Sequence, residues 1–312
     1  MKLIKPSYSI IEPTGYTIDD IYKSIELAGR VCYKSEDKIT ENSAREFVNR
    51  MIKSGHGAML EHGTVCMFIP IDCDRHDYHV AQKYHNNKYS RGIIRNEHFL
   101  LNKNGYYITT NLRVLVENEW MNDLKYICDL TEFHEKRATV HFVCDRGVSH
   151  EFVRHRVFSF AQESTRYCNY SKDKFGNELT FIIPCWLDII SEADEIHIDG
   201  NERDFCYPED IYTSNFLYTL RYAERAYLDL LQQWDKRIPD KRYKSGFRNN
   251  PWTPQQARAV LPNSLKTELV MTGFVSDWEQ FFKLRTAPNA HPQMRELTIP
   301  LQEEFISKHY IK

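Results

Sequence analysis

The sequence lacks the features that mark several common classes of protein. Its 312 residues include only 12 glycines, and neither GxGxxG nor GxxxxGK[ST] occurs, so neither a Rossmann dinucleotide site nor a P-loop is indicated. No apolar run approaches the roughly 18 residues that a membrane span requires, and the first residues lack the apolar core and cleavage site of a signal peptide. We therefore expect a cytoplasmic protein that does not bind membranes.

Charge and cysteine content exclude further classes. Lysine plus arginine (41) nearly balances aspartate plus glutamate (43), so no global field favours a nucleic-acid partner, and any anion site must be a local cluster. The eight cysteines are irregularly spaced with no CxxC pair, which argues against a zinc ribbon and against a disulfide framework. Reduced cysteines fit the cytoplasm.

Apolar periodicity and capping residues predict a mixture of helices and strands. We expect Asp145 to cap a helix that begins near Gly147 and carries Val148, Phe152 and Ser159 on one face, and Ser276–Glu279 to form a capping box. Pro300 should kink or split the last helix. Helices are predicted over 42–54, 112–124, 211–234, 254–261, 277–285 and 294–310, and strands over 64–70, 105–111, 137–144 and 181–186.

The densest group of polar side chains lies in Arg154–Arg166, which reads RHRVFSFAQESTR. An unpaired buried charge costs several kcal/mol and normally acquires a counter-ion or ligand. The planar fork of arginine binds phosphate or carboxylate with two hydrogen bonds. The residues alone leave two interpretations: a phosphate or nucleotide site around Arg154, Arg156 and Arg166, or a salt-bridge cluster at a surface or interface.

Two histidine patterns suggest metal binding at first sight. His56 and His62 lie in the loop 55–63, but a zinc site needs three or four ligands and no others are close in sequence. His150 and His155 resemble the HExxH signature but are one residue too far apart, which turns the second imidazole about 140° from the first on a helix. We predict no metal site.

The segment that begins at Arg154 resembles the RHR-x7-S signature of the flavin-dependent thymidylate synthases. Arg154-His155-Arg156 is followed after seven residues by Ser164, and the match continues through Arg166-Tyr167. Four other segments also resemble that family and occur in its order: AGRVCY (28–33), GHGAMLEH (55–62), ARAVLP (257–262) and LRTAPNAHPQ (284–293).

The resemblance implies an α+β fold, with a mixed sheet and long helices in a single catalytic domain that spans 1–312. It implies a homotetramer whose active sites are each built from several subunits. It also implies a methyltransferase reaction, in which dUMP becomes dTMP with methylenetetrahydrofolate as carbon donor, FAD as hydride carrier and NADPH as reductant. The segment 71–136 exceeds compact members of the family, and we interpret it as an accessory insertion without an assigned function.

Matching motif positions assigns roles to individual residues. Arg285 matches the arginine that stabilises charge on the uracil, which makes it the predicted catalytic residue. The predicted dUMP-binding residues are Glu151, Arg154, Gln162, Glu163, Ser164, Thr165, Arg166, Arg258 and Arg285. The predicted FAD-binding residues are Cys32, His56, Ala58, Arg154, His155, Arg156, Gln162 and Gln280.

The sequence departs from the family at four positions. Cys32 stands where serine is common, Gln162 where some members have glutamate, and Gln280 and Phe274 where asparagine occurs. Three of the departures, Cys32, Gln162 and Gln280, fall at positions that the resemblance assigns to the flavin site.

Two alternatives remain. Pro184-Cys185 matches only the dipeptide around the nucleophile of the unrelated cysteine-dependent thymidylate synthases, because the histidine that follows it there is Trp186 here. We expect Cys185 to be a buried structural thiol at the end of a strand. A non-enzymatic protein could instead bind nucleic acid through Arg154–Arg166 with interleaved aromatic residues, but the neutral overall charge argues against it.

Overall fold

The computed structural model describes residues 1–71, 75–96, 104–187, 194–198, 210–232 and 251–312. The chain divides into two compact units. Unit 1 comprises Met1–Ser7, Val143–Phe152 and Glu163–Thr267, and unit 2 comprises Tyr8–Phe142, Val153–Gln162 and Glu268–Lys312. The described residues combine helices with both parallel and antiparallel strand pairs, so the fold is mixed α/β.

Ten helices and ten strands are described. The helices are α1 (Ile18–Tyr33), α2 (Ser43–Lys53), α3 (Gly57–Leu60), α4 (Arg75–His85), α5 (Leu112–Glu117), α6 (Arg146–Phe152), α7 (Ile211–Leu231), α8 (Pro254–Ala257), α9 (Val275–Arg285) and α10 (Pro292–Ser307). The strands are β1 (Lys2–Ile4), β2 (Ser7–Ile11), β3 (Thr64–Pro70), β4 (Arg91–Arg95), β5 (Gly105–Asn111), β6 (Arg137–Asp145), β7 (Ser159–Gln162), β8 (Thr180–Ile182), β9 (Glu195–His197) and β10 (Lys266–Phe274).

Unit 1 contains a small mixed sheet and the long helix α7. The sheet has the order β8-β1-β9, in which β1 is parallel to β8 and antiparallel to β9. The buried side chains of α7, among them Leu217, Leu220 and Tyr227, pack in one cluster with Leu3 and Phe181 of the sheet. Burial of this apolar stripe is what stabilises the helix.

Unit 2 contains the antiparallel sheet β3-β5-β4 and most residues of the sheet β2-β6-β10-β7. Helix α1 begins at Thr17, whose side chain and that of Asp20 each accept a backbone hydrogen bond from the other residue. Its buried residues Ile21 and Ile25 leave so little room that a Cβ on Gly63 would lie 2.6 Å from Ile25. Glycine at this position therefore permits the close approach of the chain before β3.

An aromatic cluster fixes the last two helices of unit 2. Trp278, Phe281 and Phe282 of α9 are fully buried and contact Phe305 of α10 or one another, with ring centroids 5.2–5.8 Å apart. Such tilted and edge-to-face ring contacts add to the hydrophobic stabilisation. The cluster sets the direction of α9 and so the position of Arg285 at its end.

Several predicted elements are confirmed. The strands β3 and β5 have the predicted bounds, and α2 and β6 agree within about two residues. Helix α8 begins as predicted at Pro254 but ends at Ala257, and a 3-10 helix follows at Arg258–Val260. Helix α7 begins as predicted at Ile211 but ends at Leu231, because Gln232 adopts an extended conformation; the predicted last residue, Trp234, lies outside the described residues. The capping role of Asp145 is also confirmed, since its Oδ1 accepts a hydrogen bond of 2.8 Å from the Val148 amide.

Other element predictions were wrong, each for a local reason. The helix predicted over 112–124 ends at Glu117 because Glu119 adopts a left-handed backbone with φ of 60°, and a 3-10 helix follows at Met121–Tyr126. The strand predicted over 181–186 ends at Ile182. Ser159 belongs to strand β7 rather than to the helix after Asp145, which ends at Phe152.

The start of α9 also differs from prediction, and one of the two effects expected of Pro300 is excluded. The N-cap of α9 is Phe274, and the hydroxyl of Ser276 bonds the carboxylate of Glu135 instead of forming a capping box. Helix α10 continues through Pro300, so Pro300 does not split it.

Candidate functional site

The segment Arg154–Arg166 is divided between the two units. Arg154–Gln162 belongs to unit 2 and Glu163–Arg166 to unit 1. The predicted site residues of unit 1 are Glu151, Glu163, Ser164, Thr165, Arg166 and Arg258, and those of unit 2 are Cys32, His56, Ala58, Arg154, His155, Arg156, Gln162, Gln280 and Arg285.

In unit 1, Glu163 is held inside the protein. Its side chain is 1% exposed, and its two carboxylate oxygens accept hydrogen bonds from the Tyr170 hydroxyl at 2.9 Å and from Lys266 Nζ at 2.8 Å. Burial, with Glu163 nearby, raises the pKa of Tyr170 well above its ordinary value, so this hydroxyl stays a donor. The carboxylate of Glu163 therefore stabilises the loop that carries the next three residues.

That loop is a tight turn with the exposed guanidinium of Arg166, and Arg258 from another part of unit 1 contacts it. The Ser164 carbonyl accepts hydrogen bonds from the amides of Tyr167 and Cys168, at 3.1 and 2.9 Å. Arg258 follows α8 and donates from Nη1 to Thr165 Oγ1 at 3.4 Å, while Arg166 is exposed. The structure thus brings Ser164, Thr165 and Arg258 together in unit 1.

Glu151 lies on α6 and is half-buried. The helix is short, and the capping of its first turn by Asp145 and the burial of Phe152 fix its orientation. Glu151 therefore has a defined position within unit 1.

In unit 2, Arg154-His155-Arg156, here called the RHR turn, carries two exposed cations and one half-buried imidazole. Arg154 and Arg156 are exposed, and no ion pair joins either to a carboxylate in the parts of the chain that the structure describes. His155 packs edge-on against Phe281 at 4.9 Å, and its Nε2 accepts a hydrogen bond of 2.8 Å from Arg285 Nε. Arg154 and Arg156 thus face solvent, whereas His155 between them packs against α9 and binds Arg285.

The protonation state of His155 follows from its surroundings. Burial first, and then the positive charge of Arg285, lower the pKa of His155 from 6.5 to about 4. The imidazole is therefore neutral near pH 7 and can accept the hydrogen bond from Arg285. This contact joins the RHR turn to the end of α9 within unit 2.

The other predicted flavin residues of unit 2 lie on separate elements. His56 and Ala58 are exposed at the start of α3, and the Tyr33 hydroxyl lies 3.1 Å from His56 Nδ1. Cys32 is half-buried on α1, and Gln280 is exposed on α9. These residues thus lie on three helices, α1, α3 and α9.

Gln162 ends strand β7 and is half-buried opposite Leu269 of β10. Phe274, where the sequence departs from the resembled family, ends β10 and is 5% exposed. The guanidinium groups of Arg91 and Arg137 lie over its ring, at 4.8 and 5.5 Å from the centroid. An aromatic residue therefore fits here by binding cations on its face.

His62 is a buried, hydrogen-bonded residue of the protein interior. It is buried, its Nδ1 lies 2.8 Å from Thr272 Oγ1, and burial with nearby Arg137 lowers its pKa to about 3. Over the described ranges, no group of three or more histidine, cysteine, aspartate or glutamate side chains is arranged to hold a metal ion.

The structure also corrects the expectation for Cys185. This cysteine is exposed, because strand β8 ends three residues earlier and the chain turns at Cys185 and Trp186. Burial cannot therefore be the reason for a cysteine at this position.

A cavity of about 560 Å³ lies within unit 2 beside the RHR turn. Its lining includes residues that belong to none of the sequence motifs, notably Lys88, Arg91 and Arg137. No sequence signal marked them, because they lie 19 or more positions from Arg156 and meet it only in the folded chain. The lining consists of Glu61, Lys88, Tyr89, Arg91, Asn111, Arg137, Arg156, Val157, Phe158, Ser159, Gly273, Phe274 and Asp277.

This cavity fits part of a dinucleotide such as FAD. It combines four cationic side chains, which suit phosphate groups, with the aromatic rings of Phe158 and Phe274. One of the cations, Arg137, is 8% exposed, and its Nε has no hydrogen-bond partner among the described residues. A buried guanidinium with an unused donor favours an anionic ligand.

None of the described helices is long and apolar enough to cross a membrane.

Comparison with known proteins gives a consistent result. Residues 105–309 match a family model described as thymidylate synthase complementing protein. Flavin-dependent thymidylate synthases of Corynebacterium diphtheriae and Corynebacterium glutamicum are 22% and 21% identical over 277 residues, which cover 88% of this chain and 71% of each relative. The enzyme of that name from Mycobacterium avium is 29% identical over 181 residues, or 56% of this chain and 61% of that protein.

Proposed function

Because the chain belongs to the thymidylate synthase complementing protein family, we propose that it is a flavin-dependent thymidylate synthase. It methylates dUMP to dTMP, with methylenetetrahydrofolate as the carbon donor and NADPH as the reductant. The observation that carries the proposal is the RHR-x7-S segment, in which Arg154 and Arg156 are exposed and lack ion pairs to described carboxylates. A salt-bridge cluster would have shown such pairs.

In the proposed dUMP site, Arg154, Arg166 and Arg258 supply positive charge for the phosphate. Ser164 and Thr165 supply hydroxyl groups, and Glu151 and Gln162 complete the polar contacts. Glu163 acts by positioning, because its carboxylate oxygens already bind Tyr170 and Lys266. Ser164 is a hydrogen-bonding residue and not a nucleophile, since no adjacent base activates it among its described contacts.

The proposed flavin site contains the RHR turn. The other residues assigned to it by their position in the family motifs are His56, Ala58, Cys32, Gln162 and Gln280. FAD, when bound, supplies the hydride for the reduction of the pyrimidine. The protein's contribution is to bind and orient it through arginines that remain charged at any physiological pH.

Arg285 is the proposed catalytic residue. Its guanidinium stabilises the negative charge that develops on the uracil ring at N3 and O4 when C6 is reduced, which is electrostatic preorganisation. The 2.8 Å hydrogen bond from Arg285 Nε to neutral His155 restricts the guanidinium before substrate arrives. His155 therefore positions Arg285, whose guanidinium acts on the uracil of dUMP.

The proposal extends to assembly and organisation. The enzyme is a cytoplasmic homotetramer in which several subunits contribute to each active site, so residues of the two units need not come from one chain. Residues 1–312 form a single catalytic domain with an accessory insertion at 71–136.

The first test is the flavin content of the purified protein. The proposal predicts a yellow protein, or one that takes up added FAD to one equivalent per chain, measured by its absorbance spectrum after gel filtration. Arg154→Ala should reduce this uptake, and Cys185→Ala should leave it unchanged. A colourless protein that does not bind added FAD would contradict the proposal.

A further inference from the structure

The accessory segment contributes to the same cavity as the RHR motif. Lys88, Tyr89, Arg91 and Asn111 lie within 71–136 and line the cavity together with Arg156. They reach it from the turn before β4, from the start of β4 and from the end of β5. All of these residues belong to unit 2.

The charges that line the cavity are mainly positive. Lys88, Arg91, Arg137 and Arg156 contribute four cations, and the carboxylates are Glu61 and Asp277. Glu61 is bound by Arg113, which lies outside this lining. Burial raises the pKa of Asp277, which reduces its tendency to ionise.

Arg137 is a cation of the cavity that forms no ion pair with a carboxylate among the described residues. It is almost fully buried, and its Nη1 donates only to neutral acceptors, the Glu61 carbonyl at 3.0 Å and Thr64 Oγ1 at 3.2 Å. Its Nε has no hydrogen-bond partner among the described residues. A buried cation of this kind is costly unless an anion completes its environment.

Arg91 is held at the cavity by an aromatic ring. Its guanidinium lies 4.8 Å from the ring centroid of Phe274, and its Nη1 donates to the Lys88 carbonyl at 3.2 Å. Its nearest carboxylate among the described ion pairs is that of Glu135, at 3.7 Å. The hydrogen bonds to backbone carbonyls and the ring contact set the position of Arg91 while its charge remains weakly paired.

We propose that the accessory segment completes the flavin site, with Arg91 and Lys88 binding the negatively charged pyrophosphate of FAD beside Arg156. This inference rests on the proposed function. Phe274 then has a specific purpose: it replaces the polar residue of the family pattern and carries Arg91 on its ring. Lys88, Tyr89, Arg91 and Asn111 of the accessory segment are accordingly part of the cofactor site.

The experiment is a titration of the FAD-free protein with FAD, followed by flavin absorbance and fluorescence. Arg91→Ala and Lys88→Ala are compared with Arg95→Ala. Arg95 is the matched control because it lies on the same strand, contacts the Phe133 ring at 4.1 Å and is absent from the cavity lining. Binding of dUMP to each variant is measured separately by calorimetry.

We expect Arg91→Ala to weaken FAD binding by about 10- to 100-fold, the range for one charge-assisted hydrogen bond to phosphate. Lys88→Ala, an exposed substitution that does not threaten folding, should weaken it less, and Arg91→Lys should restore it in part. The affinity for FAD of the unaltered protein should fall with added salt more steeply than that of Arg91→Ala. Arg95→Ala and dUMP binding should change less than about two-fold.

Two results would overturn the inference while leaving the proposed function intact. The first is FAD binding by Arg91→Ala and Lys88→Ala as tight as that of the unaltered protein. The second is a loss of dUMP affinity in these variants without a loss of FAD affinity, which would assign the cavity to another anion. Failure of the unaltered protein to bind FAD would instead contradict the proposed function itself.

Discussion

The two parts of Arg154–Arg166 differ in how their charges are satisfied. In unit 1, the carboxylate of Glu163 is buried and bound by Tyr170 and Lys266. In unit 2, Arg154 and Arg156 are exposed without ion pairs to described carboxylates. The charge of Glu163 is therefore satisfied by the fold alone, whereas the charges of Arg154 and Arg156 are available to a ligand, as preorganised binding requires.

The largest effect on stability should come from breaking the buried ion pair between Glu163 and Lys266. Lys266→Met leaves the Glu163 carboxylate buried with only Tyr170, and we expect a loss of about 3–5 kcal/mol in the free energy of unfolding. The double variant Lys266→Met with Glu163→Gln should recover some of this loss, because no uncompensated charge then remains. Urea denaturation measures both.

The matched control for this prediction is the exposed pair Lys5–Asp194 of unit 1, whose side chains are 44% and 92% exposed. Asp194→Ala should cost less than about 1 kcal/mol. If Lys266→Met lowered the free energy of unfolding no more than Asp194→Ala, the claim that the buried pair stabilises the fold would be contradicted.

Arg285 tests the part of the proposed site in unit 2 that acts on the ligand. Arg285→Ala should slow dTMP formation by about 10- to 100-fold, since one charge-assisted hydrogen bond to the uracil is lost, while FAD stays bound. Arg285→Lys should not fully restore the rate, because an ammonium lacks the planar fork.

A second readout separates catalysis from structure. Arg285 lowers the pKa of His155, so Arg285→Ala should move that pKa upward, as followed by NMR titration of the imidazole. Normal turnover in Arg285→Ala would reduce Arg285 to a cation at the end of a helix.

The pH dependence of stability should show a smaller effect in unit 2. The pKa of His155 is about 4 in the folded protein and near 6.5 when unfolded, so between these values the unfolded chain binds more protons. Stability is therefore full above about pH 6.5 and declines as the pH falls towards 4. His62, with a pKa of about 3, acts in the same direction.

Thermal unfolding measured from pH 7 to pH 4.5 checks this prediction. His155→Gln should flatten the decline in melting temperature, whereas His85→Gln, at an exposed position on α4, should not. A decline equally steep in His155→Gln would contradict the assignment of His155 as a neutral acceptor.

Local signals explain which elements could be predicted from the sequence. The strands β3 and β5 are bounded by glycine, proline and asparagine, and their predicted limits are confirmed. Strand β10 was missed because it is buried on nearly every residue, which removes the alternation that marks a strand. The start of α9 was misplaced because the hydroxyl of Ser276 bonds Glu135, 141 positions away.

The site shows the same limit. The motif identified Arg154–Arg166 because its residues are contiguous, and it predicted Arg258 and Arg285 through short flanking matches. It could not indicate that Glu163 is paired with Lys266, or that Arg91 lies over Phe274. These contacts join residues 103 and 183 positions apart and arise only from tertiary packing.

The most direct test of the central claim is the formation of dTMP from dUMP and methylenetetrahydrofolate, with and without NADPH, in the unaltered protein and in Cys185→Ala. A cysteine-dependent enzyme adds a thiolate to C6 of dUMP, whereas the flavin route delivers hydride to that carbon and needs no enzyme thiol. Cys185 is exposed and could be a nucleophile by accessibility alone. We predict that both proteins form dTMP at similar rates and only when NADPH is present. Activity that needs no NADPH and disappears in Cys185→Ala would contradict the account.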